Sequence, residues 1–339
     1  MITAPSPTQA TTTARRRFPA LGALGAALAV VVLSVVSLFI GVSDVSPATL
    51  LSNSDDGAAG RILLISRIPR TLAILLTGTA LGVAGLIMQL MARNKFVEPS
   101  TVGTVESAML GILVVTVLLP AAPLLAKMGV AAVFAVAGTA LFLLVLRRVP
   151  LRNTLIVPLV GIMLGGIIGA VTTFFAYRFD LLQSLNSWMV GDFSGVIAGR
   201  YEFLWLVAAL TVVGYLAADR FTVAGMGSEF TTNLGLNYRA VMTLGLVIVS
   251  LISAVVVVTV GALPFLGLLV PNLVSLLIGD NVRRSVPWVA LTGAGLVLLC
   301  DIVGRLIRFP YEIPVGTVLS VVGAAGFLYL LLRSRRRAA

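Results

Sequence analysis

Long apolar runs separated by short polar segments fill most of the 339-residue chain. A run that crosses the roughly 30 Å hydrocarbon layer of a bilayer needs about 20 residues. Such runs occupy 19–42, 70–91, 102–121, 129–146, 155–176, 202–218, 240–263, 285–304 and 314–333. A shorter run, 266–278, follows Gly261 and Pro264, where a kink is expected, and contains Pro271. Counting it makes ten spans and puts both termini on one side; omitting it makes nine. In lipid each span has to satisfy its own backbone hydrogen bonds, so the runs predict helices. The predicted fold is an all-α polytopic membrane protein with ten transmembrane helices. Gly78 with Gly82, and Gly161 with Gly165, place small residues at the four-residue spacing that lets helices pack closely in lipid. The predicted organisation is a disordered N-terminus (1–18), one ten-helix transmembrane domain (19–333) and a basic C-terminus (334–339).

Charge decides between nine and ten. Cytoplasmic segments of membrane proteins are enriched in Lys and Arg. With ten spans and a cytoplasmic N-terminus, the inner segments hold 16 of the 24 basic residues, among them Arg15, Arg16, Arg17, Arg93, Lys95, Arg283, Arg284 and Arg335. With nine, the C-terminal arginines fall outside. Ten is therefore the reading, with the protein multi-pass and both termini cytoplasmic.

Composition narrows the chemistry. The chain is 59% hydrophobic and 11% charged, against about 25% charged in soluble domains. The net charge of +11 is therefore read against a lipid bilayer and not against nucleic acid. There is no histidine and one cysteine, Cys300, which removes the commonest general base, the commonest transition-metal ligand and any internal disulfide. Lys95 and Lys127 are the two lysines, and neither sits in a phosphate-binding loop. If ATP is used, a partner binds it with its magnesium; the chain itself is predicted to hold no metal or cofactor and to be no enzyme. The apolar stretch after Arg17 exceeds 20 residues, which fits a spanning helix better than the core of a signal peptide.

Four places depart from the bland pattern. Arg67, Arg70, Arg305 and Arg308 gather at the outer mouths of two spans, where the charge bias depletes arginine. They either snorkel to headgroups or meet an acidic partner or an anionic solute. The inner segment 225–236 is too polar to span, and its centre predicts a short helix closed by Gly235. It is either a connection or a knob for a motor subunit. Arg93 to Ser100 mixes charge, amide and aromatic, with Glu106 just beyond at the head of the third span; that carboxylate is either solvated or lines a polar pathway. Asp301 stands four residues before Arg305, which predicts an intrahelical ion pair. No catalytic constellation is present. A transport permease or an ion-gradient-driven secondary transporter remains, and the scarcity of midspan Asp and Glu weighs against the second.

Six segments, in order, resemble the FecCD-type permeases, the membrane subunits of type II ABC importers for ferric siderophores, haem and cobalamin. Arg67-Ile68-Pro69-Arg70-Thr71 resembles R-L-P-R-T, and Gln89 to Ala108 resembles Q-x-x-x-x-N-P-L-A-x-P-x-x-x-G-x-x-x-G-A. Trp188 to Gly191 resembles W-x-x-G, and Gly227 to Gly235 resembles G-x-x-x-A-x-x-L-G. Gly261 to Asn272 resembles G-P-I-x-F-V-G-L-x-x-P-H, and Glu312 to Gly316 resembles E-L-P-x-G. The resemblance covers about 20–333. It implies that Arg67, Arg70 and Arg305 receive glutamates of an extracytoplasmic substrate-binding protein. It implies that Gly227, Glu229, Thr231, Leu234 and Gly235 seat on a P-loop ATPase subunit. It places Asn94, Phe96, Asn153 and Thr154 at gates; Glu106, which with Ser107 replaces the family's usual small pair, is a pathway candidate on its own chemistry. It also implies a second permease chain, the same or a close relative. Lys95 and Phe96 replace the proline and leucine of N-P-L, Thr231 the coupling alanine, and Asn272 the terminal histidine. The Asn-Lys-Phe-Val-x-Pro run with Gly103-Thr104 looks most like catecholate-type siderophore permeases, so a ferric siderophore is the expected cargo ahead of haem or cobalamin.

Overall fold

The computed structural model describes residues 20–41, 58–146, 148 and 156–338. Residues 1–18, Asn153 and Thr154 lie outside the described residues. Among the described residues all regular structure is helical. The helices are α1 (Ala20–Phe39), α2 (Ile68–Met91), α3 (Thr104–Leu118), α4 (Leu124–Leu146), α5 (Ile156–Arg178), α6 (Leu182–Met189) and α7 (Leu204–Leu216). They continue as α8 (Ala218–Met226), α9 (Ser228–Asn233), α10 (Tyr238–Val260), α11 (Leu266–Ile278), α12 (Val282–Leu306) and α13 (Val315–Ala338).

Seven of the helical runs are long and apolar enough to cross a bilayer. An eighth is the bent pair α7–α8, which turns by 58°. Helices α3 and α11 are shorter apolar helices. Together they coincide with the ten runs of the sequence. The second run starts earlier than its hydropathy suggests. Helix begins at Ala58, passes through a π turn at Leu63–Arg67 and runs on into α2, so Arg67 and Arg70 lie inside a helical rod and not at its mouth. Helix α13 likewise continues through the terminal arginines to Ala338.

Helix α2 is the central post. Of its apolar window 72% is buried, against 6% for α1 and 22% for α5, so those two present most of their surface outward. Backbone contact explains the close packing of α2. A Cβ added at Gly78 would stand 2.6 Å from the Gly293 carbonyl oxygen of α12, and one added at Gly85 would stand 2.0 Å from that of Gly267 in α11. The expectation of close packing at Gly78 holds, and Gly85 is the tighter site.

Helix α10 ends at Val260, followed by Gly261 at φ +86 and Phe265 at φ +64, before α11 starts at Leu266. The break falls where Gly261 and Pro264 predict it. The short helix expected in 225–236 is α9, closed by Gly235 at φ +77. The amide of Leu236 donates to the Thr231 carbonyl (3.1 Å) and that of Gly235 to Thr232 (2.9 Å), so the orphan carbonyls of the last turn are met.

A Gly85→Val variant should therefore fail to form a stable bundle, because neither backbone can retreat. Gly129→Ala, where an added Cβ meets nothing within 4 Å, should unfold like the parent. Thermal unfolding in detergent followed by size-exclusion chromatography reads both; equal stability of the two variants would contradict the packing.

Candidate functional site

Three places gather the polar residues: the two ends of the bundle and one cavity between them.

At the first end, Arg70 forks between two acids. Its Nε and Nη2 donate to Asp301 Oδ1 at 3.1 and 2.7 Å, and its Nη1 donates to Glu312 Oε2 at 2.7 Å. Arg305 Nη2 donates to Asp301 Oδ2 and to the Ser37 hydroxyl. The i,i+4 pair expected of Asp301 and Arg305 is present, and it is one side of a larger cluster. Arg305 Nη1 also donates to the carbonyls of Ser37 (3.0 Å) and Ile40 (2.8 Å), and Arg67 Nη1 donates to the carbonyl of Leu38 (2.7 Å). These carbonyls sit at the C-terminus of α1, where helix carbonyls lack partners and the helix dipole favours cations. The arginines thus fasten α1 to α2 and α12. Arg67 and Arg305 are only 7% and 5% exposed, so they are not the open surface cations that their position in the sequence suggests. Arg70 (side chain 12% exposed) and Glu312 (28%) form the part that reaches the surface. Arg308 is exposed and lies over the Tyr311 ring.

At the second end, residues 92–101 lie along α11 and are stapled to it at three levels. Glu98, 1% exposed, accepts from the amides of Phe265 (2.7 Å) and Leu268 (3.0 Å) and from the Ser100 hydroxyl (2.5 Å). In the middle, Asn272 Nδ2 donates to the Lys95 carbonyl at 2.7 Å. Lower down, Lys95 Nζ donates to Asp280 Oδ1 (2.8 Å) and to Ser275 Oγ (3.2 Å). Burial alone would raise the Asp280 carboxyl. The hydrogen bonds from Lys95 and Ser275 and the Lys95 charge bring it below the ordinary range, so it stays ionised at neutral pH. Asn94 is 5% exposed; its Oδ1 accepts from the Phe96 amide at 2.8 Å, and Phe96 meets Phe327 of α13 edge-on. The lysine and asparagine that depart from the family pattern at 95 and 272 are therefore bonded to each other's segment. The sequence marks Glu98 only as part of the charged 93–100 segment and does not mark Ser275 or Asp280, whose one signal is their closeness to Gly279.

Beside this staple, α8 and α9 form a knob. Met226, Phe230 and Leu234 are 58, 48 and 57% exposed, and Glu229 and Gly235 are exposed with them. Thr231 is fully buried. Its hydroxyl donates to the Gly227 carbonyl (2.5 Å) and lies 3.1 Å from that of Val223, which is how a threonine fits where the family has alanine. Arg93 packs on Gly227, with Nη2 2.9 Å from the place of a Cβ, so the knob touches the segment that carries Asn94 and Phe96. A cavity of about 310 Å³, lined by Gln89, Arg93, Asn94, Asn272 and Asp280 among others, opens here.

Between the ends lies a larger cavity of about 630 Å³, bounded by Glu106, Gly161 and Gly165, the α10–α11 break and the start of α13. Glu106 is thus separate from Asn94 and Phe96.

Removing Arg305 leaves Asp301, fully buried, with one of its two cations. Breaking a buried pair costs about 3–5 kcal/mol, whereas losing an exposed cation–π contact costs about 0.5–1 kcal/mol. Arg305→Ala should accordingly shift SDS-induced unfolding far more than Arg308→Ala. Equal small shifts would mean that the cluster does not hold α1.

The FecCD transport family model matches residues 28–333. The chain is 49% identical to the petrobactin import system permease protein YclN of Bacillus subtilis over 90% of this chain and 96% of that one. It is 44% identical to the petrobactin import system permease protein FatD of Bacillus anthracis, covering 92% and 91%. A solved inward-facing transporter classed with the metal-chelate type of ABC transporters superposes with a TM-score of 0.77 at 23% identity, over 92% of this chain and 98% of that one; it speaks for the fold alone. With a match spanning nearly the whole bundle and a relative at almost half identity, the chain belongs to the FecCD transport family.

Proposed function

We propose that the chain is the transmembrane permease subunit of an ATP-binding-cassette importer that carries a ferric siderophore inward across the bacterial cytoplasmic membrane. The observation that carries this reading is the near full-length similarity to two permeases named for petrobactin import. The geometry supports it. A polar, arginine-rich end and an exposed apolar knob lie at opposite ends of one helical bundle, with a cavity of about 630 Å³ between them, within the size range of small-molecule sites.

The charge bias of the loops favours the Lys95 end as cytoplasmic and the Arg67 end as external. On that orientation the α8–α9 knob seats on a P-loop ATPase, which supplies the ATP and magnesium chemistry. Met226, Phe230 and Leu234 would fill its groove, and Gly227 and Gly235 set the turns on either side. Closure of the ATPase then pushes on Arg93, which rests on Gly227, and through it on the segment with Asn94 and Phe96. Asn94 and Phe96 act as the inner gate, with Asn153 and Thr154 proposed as a further constriction and Glu106 on the pathway.

At the external end, an extracytoplasmic binding protein presents carboxylates to Arg70, while Arg305 holds the Asp301 that Arg70 pairs with and Arg67 fastens α1 alongside. A docking carboxylate there competes with Glu312, so association is favoured by approach of charge more than by raw pair strength. A second permease chain completes the pathway.

Purified in nanodiscs, the chain alone should neither bind nor hydrolyse ATP. In proteoliposomes with its ATPase and binding protein it should accumulate iron supplied as ferric petrobactin when ATP is present. Leu234→Glu should abolish accumulation and co-purification of the ATPase while the chain still inserts. Accumulation driven by an ion gradient without ATP would contradict the function, and a Leu234→Glu chain that still holds its ATPase would contradict the coupling role.

A further inference from the structure

Among the described residues, Glu106 is the one ionisable side chain bounding the larger cavity. Its Oε2 is buried and has no hydrogen-bond partner among the described residues. Three of the four hydroxyls in the lining are committed elsewhere. Ser100 Oγ donates to Glu98 (2.5 Å), Thr101 Oγ1 to the Glu98 carbonyl (3.0 Å) and Ser320 Oγ to the Gly316 carbonyl (2.6 Å). Among the described residues no lysine or arginine borders the cavity. Helix α5 makes room for the carboxyl group: a Cβ added at Gly165 would come 3.3 Å from Glu106 Cδ and 3.4 Å from Oε2. The group therefore lies in a glycine notch of α5 with one oxygen unmatched.

An unmatched carboxylate in a largely apolar cavity is costly unless a donor or a cation reaches it. Apart from Glu106's own amide, the described residues supply neither to Oε2, which leaves the place open to a donor carried by whatever occupies the cavity. We propose that Glu106 is a recognition point for the cargo in transit, taking an ammonium or other N–H donor group carried on the organic arm of the chelate. This rests on the permease reading for the identity of the cargo, though the carboxylate site itself does not. Charge-assisted hydrogen bonds discriminate strongly between a donor and its blocked analogue. The cavity would thus favour chelates bearing a free amine over otherwise equal chelates lacking one.

Two measurements test this. In the first, the full chain in nanodiscs is treated with a hydrophobic carbodiimide, and modification of Glu106 is read by mass spectrometry, with Glu106→Gln as the blank. Three probes are added in turn: a ferric tris-catecholate with one free amine on its backbone, the same chelate with that amine acetylated, and a simple alkylammonium ion. Glu106 should be modified in the free chain and protected at least about tenfold better by the amine chelate than by its acetylated form. No modification in the free chain, or equal protection by both chelates, would overturn the proposal. Protection by the alkylammonium ion but by neither chelate would keep the carboxylate site and sink the siderophore reading. In the second, the assembled importer in proteoliposomes transports the two chelates. Glu106→Gln should raise the KM for the amine chelate about tenfold and leave that for the acetylated chelate within about twofold. An equal loss for both would show that Glu106 only shapes the helix packing.

Discussion

A helix that begins inside a membrane bundle starts with amides that have no water to satisfy them. Helix α11 begins this way, after the break at Gly261–Phe265, and the carboxylate of Glu98 answers the amides of Phe265 and Leu268. Glu98 arrives from the segment between α2 and α3, and that fact organises the region. The segment is then bound to α11 along its length, through Asn272 in the middle and through Lys95, Ser275 and Asp280 at the end. Helix α2 closes the arrangement, because Gly85 lets its backbone touch Gly267, which lies between the two capped amides, and Gln89 Nε2 donates to the Gly267 carbonyl at 3.2 Å.

The opposite end solves the reverse problem. Helix α1 ends with unmet carbonyls, and Arg67 and Arg305 supply the donors. Asp301 balances Arg305 and Arg70 together. Charges at this depth persist only as a matched set, so the arginines serve the scaffold first, and of the buried cluster only the Arg70–Glu312 edge reaches the surface. Each end therefore joins a helix terminus to a distant element through charged or amide side chains, and the cavity with Glu106 lies between two braced regions.

The spans were legible in the sequence because crossing lipid imposes a length and a composition on each one. The break after Val260 and the closure of α9 were legible for a related reason, since Gly261 and Gly235 mark backbone that other residues avoid. What stayed hidden was pairing. Charge bias assigns Arg67 and Arg305 to a side of the membrane but carries nothing about burial, and both are buried against α1. Glu98 and Asp280 read as loop acids, because their partners are backbone amides and a lysine far along the chain. The early start of the second rod at Ala58 escaped because Arg61 and Arg67 interrupt its hydropathy.

The claim that residues 94–101 and the start of α11 form one mechanical piece is tested most directly by amide hydrogen exchange in nanodiscs, comparing the parent with Glu98→Ala. The two segments should lose protection together, by similar factors, while α12 keeps its own. Loss confined to Phe265–Leu268, with 94–101 as protected as before, would show that the segment is held without its carboxylate and that the two parts are independent.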